Sequence, residues 1–458
     1  MNQTLCGEEK LKEIAQKVLG FSKADPSIGS GLRQTEVILS VGDHGLTRFA
    51  NSQIHQNVAW VDLGVSVRVV VGKKIGVASA NSFEEEDLKN VVARAEEVAR
   101  HQKDDPSFIS LPKPKPFKRI GVDVVSSTPG ERAAAVSKII EKAKKHKGVV
   151  ASGAYSSVVT EIAIANSLGV WAYHVASAQD LSTILLGPSS TGFASQLEKT
   201  PALIDADLVA DRALKKVLDG ADPTDLELGE YEVILEAQAV GEMMSFLAYL
   251  GPNARVYHEK ASFFSDKLGE KVLGENITLV DDPLDTEGFP MPFDFEGYPK
   301  SRLVVVGSGK LENLCYDSYY AGKHETCNTG HALPAPNTYG PIPLHLKLEP
   351  GTKSLEELVV GVKRGLLVTR LWYVRFLNPR SMTITGMTRD GTFLIEKGKI
   401  VKPVKNLRFN QSIPEALNNV VAIGKDLESL SSFETELGTN RMPALHIGKW
   451  EFTSGTEF

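Results

Sequence analysis

Cysteine is scarce. There are three in 458 residues, Cys6, Cys315 and Cys327, far apart and odd in number. That excludes a disulfide framework and suits reduced thiols in a cytoplasm. Long apolar runs are missing too: no stretch approaches the ~20 residues that span a bilayer. The N-terminal MNQTLCGEEKLKE has neither the basic nor the apolar region of a secretory signal. Positive charge is not in surplus, since 51 Lys and Arg against 57 Asp and Glu leave a net charge of −6. Without a basic stripe interleaved with aromatics, there is no electrostatic case for nucleic acid. Catalytic signatures are just as sparse. The chain has no G-x-S-x-G elbow and no H-E-x-x-H or H-E-x-x-x-H, and neither Cys315 nor Cys327 sits in an activating motif.

What is present is an ordinary globular composition, 42% hydrophobic and 24% charged, in a chain long enough for two domains. The punctuation Asp219-Gly220-Ala221-Asp222-Pro223 predicts a boundary there, giving domains over 1–222 and 223–458. In the first, apolar spacing predicts helices over Glu8 to Leu19, Phe83 to His101, Thr128 to Lys147 and Asp205 to Leu218. Strands are predicted over Thr35 to Ser40, Val61 to Val71, Val149 to Val159, Thr160 to Ala165 and Leu181 to Leu186. LPKPKPF, Leu111 to Phe117, reads as a proline-stiffened connector. An Ala-Asn-Ser turn ends a strand twice, at Ala50-Asn51-Ser52 and Ala165-Asn166-Ser167, which reads as an internal duplication.

The second domain opens on YEVILEAQAVGEMMSFLAYL, Tyr231 to Leu250, a strand running straight into an apolar helix. A Gly/Pro/Asp-rich loop over 282–300 reads as functional or mobile. A helix is predicted over Leu311 to Tyr320. The loop Lys323 to Pro341 gathers His324, Cys327 and His331, residue types that ligate zinc, though not at a recognised spacing. Ser354 with Glu357 makes a capping box for a helix ending at Gly365. Strands over Leu366 to Thr369, Trp372 to Leu377, Ser381 to Gly386 and Thr392 to Glu396 follow, with Asp390-Gly391 as a hairpin turn.

These motifs resemble the TldD/PmbA (TldE) family, the so-called modulators of DNA gyrase. Leu348 to Thr369, Ile395 to Val404 (IEKGKIVKPV, where the family has I-E-N-G), Val420 to Leu427 (VVAIGKDL) and Asn328-Thr329-Gly330 with Pro334 to Thr338 carry the resemblance. It implies an α+β fold: a duplicated N-terminal α/β unit, then an antiparallel, barrel-like β domain with helices. In the TldD branch the apolar helix carries H-E-x-x-x-H and a C-terminal G-T-C-G-x-x-G adds a Cys, together holding a catalytic zinc. Here the matching positions are Ser245, Phe246, Leu250 and, in Gly438-Thr439-Asn440, Asn440. The resemblance therefore implies the PmbA/TldE branch: no catalytic or metal residue, no cofactor, and a cytoplasmic non-catalytic partner of a TldD-like paralogue that cleaves unfolded peptides. Two alternatives stand beside it. One is a homodimeric metallopeptidase with a relocated metal site at His324, Cys327 and His331; the other is a metal-free peptide-binding scaffold.

Overall fold

A computed structural model describes residues 5–23, 33–431 and 439–456. Its first half is one six-stranded antiparallel sheet with four helices on one face. The elements are α1 (Glu8–Lys23), β1 (Arg33–Ala50), β2 (Gln53–Val71), β3 (Lys74–Ala80), α2 (Glu85–His101), α3 (Pro129–Lys144), β4 (Val150–Asn166), β5 (Trp171–Leu186), β6 (Thr191–Glu198) and α4 (Ala206–Asp219). The strand order β3-β2-β1-β4-β5-β6 sets two helix–three-strand–helix modules back to back, joined by the central antiparallel pair β1–β4. The duplication is therefore a property of the topology. The shared Asn-Ser pair plays different parts in the two modules, however. Asn51 and Ser52 both take positive φ in a tight turn, whereas Asn166 is the last residue of β4 and its Oδ1 accepts from Leu168 N and Val170 N.

Alternation along the strands sorts side chains to two faces. Val37, Leu39, Val41, Val65, Val67 and Val69 pack with α1 and α2 residues, and Leu181 and Leu185 pack with α3 and α4 residues. The opposite face carries Ile38, Ile162, Ile164, Ala172 and Arg68, and it meets the second half of the chain.

That half contains β7 (Gly229–Leu235), α5 (Ala237–Leu250), α6 (Ala254–His258), β8 (Leu279–Asp281), β9 (Leu303–Gly307), β10 (Lys310–Leu311), α7 (Ser318–Lys323), β11 (Leu346–Leu348), α8 (Leu355–Val360), β12 (Arg364–Asn378), β13 (Thr383–Glu396), β14 (Lys399–Pro403), β15 (Leu407–Ser412), α9 (Ile413–Asn418), β16 (Val420–Ile423), β17 (Glu428–Ser431), β18 (Thr439–Met442) and β19 (Leu445–Gly455). The order β12-β7-β19-β15-β13 closes on itself because β13 also pairs β12, making a five-stranded barrel, antiparallel except for β7–β12. A second sheet, β10-β9-β8-β11-β18-β17, lies across α5 from it. The helix is apolar apart from the partly exposed Gln238 and Glu242 because most of its surface is buried between them. Among the described residues no helix is long and apolar enough to cross a membrane.

Four expectations are corrected. Asp390-Gly391 makes no hairpin: β13 runs through it, and the turn from β12 lies at 379–382, set by Asn378 Oδ1 accepting from Arg380 N and Ser381 N. Asp390 instead takes a positive φ beside an irregularity in the pairing and turns its buried carboxylate onto Arg370. Helix α7 starts only at Ser318, where Asp317 caps it, because Leu311 is already paired to β9 and Cys315 N is bonded to Pro252 O. Helix α8 ends at Val360; Gly365 belongs to β12, where a Cβ would meet Glu232 O at 2.4 Å. The loop over 282–300 is a docking segment. Phe293 is fully buried with Ile164 and Ala172 from the first half, and Gly297 takes a positive φ where a Cβ would meet Val170 at 2.6 Å.

The same loop supplies an ionic clamp between the halves. Arg68 Nη2 donates to Glu36 Oε2 at 2.7 Å and to Glu296 Oε1 at 3.1 Å, with both carboxyl groups buried and Arg68 largely covered. Burial and the Glu296 charge push the Glu36 carboxyl up to about 7 despite Arg68, and burial likewise lifts Asp317 to about 7 and Asp294 to about 8. A carboxyl whose folded pKa is raised stabilises the fold at low pH, and that contribution is lost as pH climbs from the unfolded to the folded value. Replacing Glu36 with Gln should therefore flatten part of the decline in stability between about pH 4.5 and pH 7. Urea unfolding midpoints of wild type and variant across that range check this.

Candidate functional site

Helix α5 is positioned from both ends. Its first residues follow β7 directly, with Glu236 N bonded to Val368 O of β12. One turn in, Gly241 lets the helix approach β17, since a Cβ there would meet Leu430 Cδ1 at 2.4 Å. Leu430 pairs with Asn440 across the β17–β18 ladder. The next turn of the helix thus brings Ser245 against Asn440, two residues 195 apart in sequence.

Ser245 Oγ donates to Gly241 O at 2.9 Å and accepts from Asn440 Nδ2 at 3.3 Å, out of solvent. Phe246 is 3% exposed and meets Phe376 edge-on at 4.9 Å between ring centres; Tyr249 also reaches Phe376, and Tyr339 beyond it. Leu250 closes the helix within the same apolar core. Gly438 lies outside the described residues. A catalytic zinc takes imidazole, thiolate or carboxylate ligands and keeps an open position for water. A hydroxyl and a carboxamide engaged with each other, beside two hydrocarbon side chains, do not fit such an ion.

The other ligand-type residues are not brought together. His331 is turned inward, with Nε2 3.2 Å from Asp281 Oδ2, whereas Cys327 is exposed and His324 stacks on His258 at 3.5 Å between ring centres. Among the described residues no group of three His, Cys, Asp or Glu could hold a metal ion. The relocated site over His324, Cys327 and His331 is thus corrected: the loop carries His331 into the core and leaves Cys327 at the surface.

Sequence reasoning missed the buried cluster that holds His331. Asp281 is fully buried and accepts from His345 N at 2.8 Å, and Lys300 Nζ lies 3.6 Å from its Oδ2 and 3.2 Å from His345 Nδ1. Burial opposes ionisation of Asp281, but Lys300 and the two imidazoles hold its carboxyl well below the usual range. Burial and the Lys300 charge push His345 down to about 3, so its neutral ring accepts from the ammonium. The available signal was an aspartate closing the apolar strand ITLVD.

Beside the N-terminus of α5, a cleft of about 700 Å³ opens between the halves. Edge strand β6 gives it Phe193 and Ser195, α4 gives Lys216, and the barrel gives Leu367, Thr369 and Phe393. Lys216 pairs with Glu236 at 2.6 Å across it. Thr369 Oγ1 is buried without a hydrogen-bond partner among the described residues.

Comparison with known proteins places these features in one family. Models of the PmbA/TldA metallopeptidase match throughout: domain 1 over 35–99, the central domain over 125–220 and the C-terminal domain over 228–454. The chain is 26% identical over 411 residues to the metalloprotease PmbA homolog of Haemophilus influenzae, covering 85% of this chain and 87% of that protein. It is 23% identical over 394 residues to the metalloprotease TldD homolog of the same organism, covering 80% of each. The crystal structure of TldE from Thermococcus kodakarensis superimposes with a TM-score of 0.87 at 20% identity, covering 96% of this chain and 100% of that one. A putative modulator of DNA gyrase from Thermotoga maritima gives 0.84 at 19% identity, covering 97% and 100%.

Proposed function

Because this chain belongs to the PmbA/TldD metallopeptidase family, we propose that it is a non-catalytic, TldE-like subunit. In this reading it acts with a TldD-type paralogue that supplies the metal and cleaves unfolded peptides in the cytoplasm. One observation carries the proposal. At the α5–β18 junction, Ser245 and Asn440 bond to each other while Phe246 and Leu250 fill the core, so the donors that zinc chemistry needs are replaced together. A single missing ligand could be supplied by a neighbour; four replacements leave nothing to fix the ion or accept a proton. The cleft beside β6 is the surface on which this subunit meets an extended peptide, whose backbone can add to an open strand edge with little side-chain selection.

The test is peptide cleavage and metal content. Alone and prepared without chelator, the chain should carry essentially no zinc and leave an unfolded peptide intact. Mixed with a TldD-type chain it should co-purify and support cleavage. Ser245→Ala and Asn440→Ala, which remove buried hydrogen bonds away from any reacting group, should leave the rate of that complex within about twofold. Near one zinc per chain, with cleavage by the isolated protein, would overturn the reading.

A further inference from the structure

Helix α5 begins without a side-chain cap. Glu236 stands at the N-cap position, yet its carboxylate makes no bond to the helix, because it pairs with Lys216 at 2.6 Å instead. Glu236 N is bonded to Val368 O, and Val240 N to Glu236 O. The N–H groups of Ala237, Gln238 and Ala239 are left with no acceptor among the described residues. Groups of this kind at the start of a helix are capped, hydrated or given to a ligand. Ala237 and Gln238 line the cleft beside β6.

An independent observation falls at the same corner. Strand β7 runs parallel to β12 with Leu235 level with Val368, so the first turn of α5 emerges alongside Thr369. Thr369 also lines the cleft. It is 1% exposed, and its Oγ1 has no hydrogen-bond partner among the described residues. Folded proteins seldom leave a buried hydroxyl unpaired without a use for it. Gly391 makes room for this one, since a Cβ there would stand 2.5 Å from Thr369 Oγ1. The acceptors near by are already engaged. Gln238 Oε1 takes the Ser195 hydroxyl at 3.3 Å, and Glu236 takes Lys216. Glu428 is held in turn by Arg212 at 3.0 Å. The corner therefore offers donors and lacks an acceptor. Around it the cleft lining carries six cationic side chains against five acidic ones, so an anion is not repelled.

We propose that this corner binds a carboxylate of the peptide in the cleft, held by the Ala237 and Gln238 N–H groups and the Thr369 hydroxyl. The proposal rests on the reading of the cleft as the peptide-binding surface. The partial positive charge at the start of a helix favours an anion, and hydrogen bonds to an ionised acceptor are shorter and stronger than those to water or a neutral carbonyl. A peptide carries carboxylates at its C-terminal end and on acidic side chains, and both present the same two oxygens. Next to the corner, Phe193, Leu367 and Phe393 give the cleft an apolar wall for the side chain beside the carboxylate. Backbone pairing to a strand edge leaves the register of a peptide open. One anchored carboxylate fixes it.

The experiment is fluorescence anisotropy with the full-length protein and three unfolded peptides labelled at the N-terminus. One is apolar with a free C-terminal carboxylate, the second is its C-terminal amide, and the third is that amide with one Glu near the end. The expected result is that the free acid or the Glu peptide binds at least tenfold more tightly than the plain amide, and whichever does so identifies the source of the carboxylate. Thr369→Val keeps the shape of the side chain and removes the hydroxyl. Ala237→Pro deletes one N–H at the first helical position, where proline is well tolerated. Each should cut the preference for the carboxylate at least threefold, with far-ultraviolet circular dichroism unchanged. If the proline variant fails to fold, the valine variant decides. Equal affinities for the three peptides, or a preference undiminished in Thr369→Val, would overturn the carboxylate site and leave the peptide cleft standing. Failure of all three peptides to bind would overturn both.

Discussion

Replacing Arg68 with methionine should lower the stability of the protein by about 3–5 kcal/mol, the cost of leaving buried charge uncompensated. Arg68 is bonded to both Glu36 and Glu296, and it joins the N-terminal sheet to the docking loop of the second half. Methionine keeps most of the apolar stem but leaves both carboxyl groups without their cation in a place water barely reaches, so that Glu36, already lifted to about 7, has to take a proton to stay buried beside Glu296. Part of the loss should be recovered when Glu36→Gln is added, because one of those carboxylates is then neutral; the difference between single and double variants measures the coupling. Urea unfolding at pH 7 gives both numbers. Susceptibility to proteolysis between the halves should rise in the single variant. A loss below about 1 kcal/mol, typical of an exposed ion pair, would show that water enters the clamp.

Lys300→Met should have a comparable effect, about 3–5 kcal/mol, for the same reason, and it should also reverse the pH dependence at its site. In the wild type, burial keeps His331 and His345 neutral, their pKa values lowered. The unfolded chain binds protons there that the folded one refuses, so their contribution is lost as pH falls below about 6.5. Without Lys300, Asp281 has only imidazoles and a backbone amide to balance its charge. His331 should then take a proton and pair with it. A raised folded pKa gives stability that is present below pH 6.5 and lost as pH rises through the new value. The slope contributed by His331 between pH 5 and 8 should therefore change sign, read from unfolding midpoints and from the imidazole proton resonances. An unchanged titration of His331 would mean that Asp281 itself takes the proton.

Both clusters were invisible in the sequence for one reason. Glu36 sits in TEVILS, where alternation shows only that one face is apolar, and Asp281 ends ITLVD. Partners 19 to 64 residues away decide whether such a carboxylate is solvated or clamped. The Asp390-Gly391 misreading has a related cause. The dipeptide favours positive φ, which serves a hairpin turn or a bulge equally, and Arg370 across the ladder selects the bulge.

Periodicity and capping residues determined much by themselves. They placed α1, α2 and α4 within a few residues, the Ser354 capping box, the strand-to-helix passage β7–α5, and the repeat of the first half. These rest on contacts between residues near in sequence, or on apolar spacing that only one geometry can bury. The motif positions also showed that Ser245, Phe246, Leu250 and Asn440 lack the chemistry of a zinc site. Only the tertiary structure decided that Ser245 and Asn440 bond to each other and that His331 faces Asp281 while Cys327 faces solvent. Each depends on how far two surfaces approach, which Gly241 and the docking loop set only once the whole chain is packed.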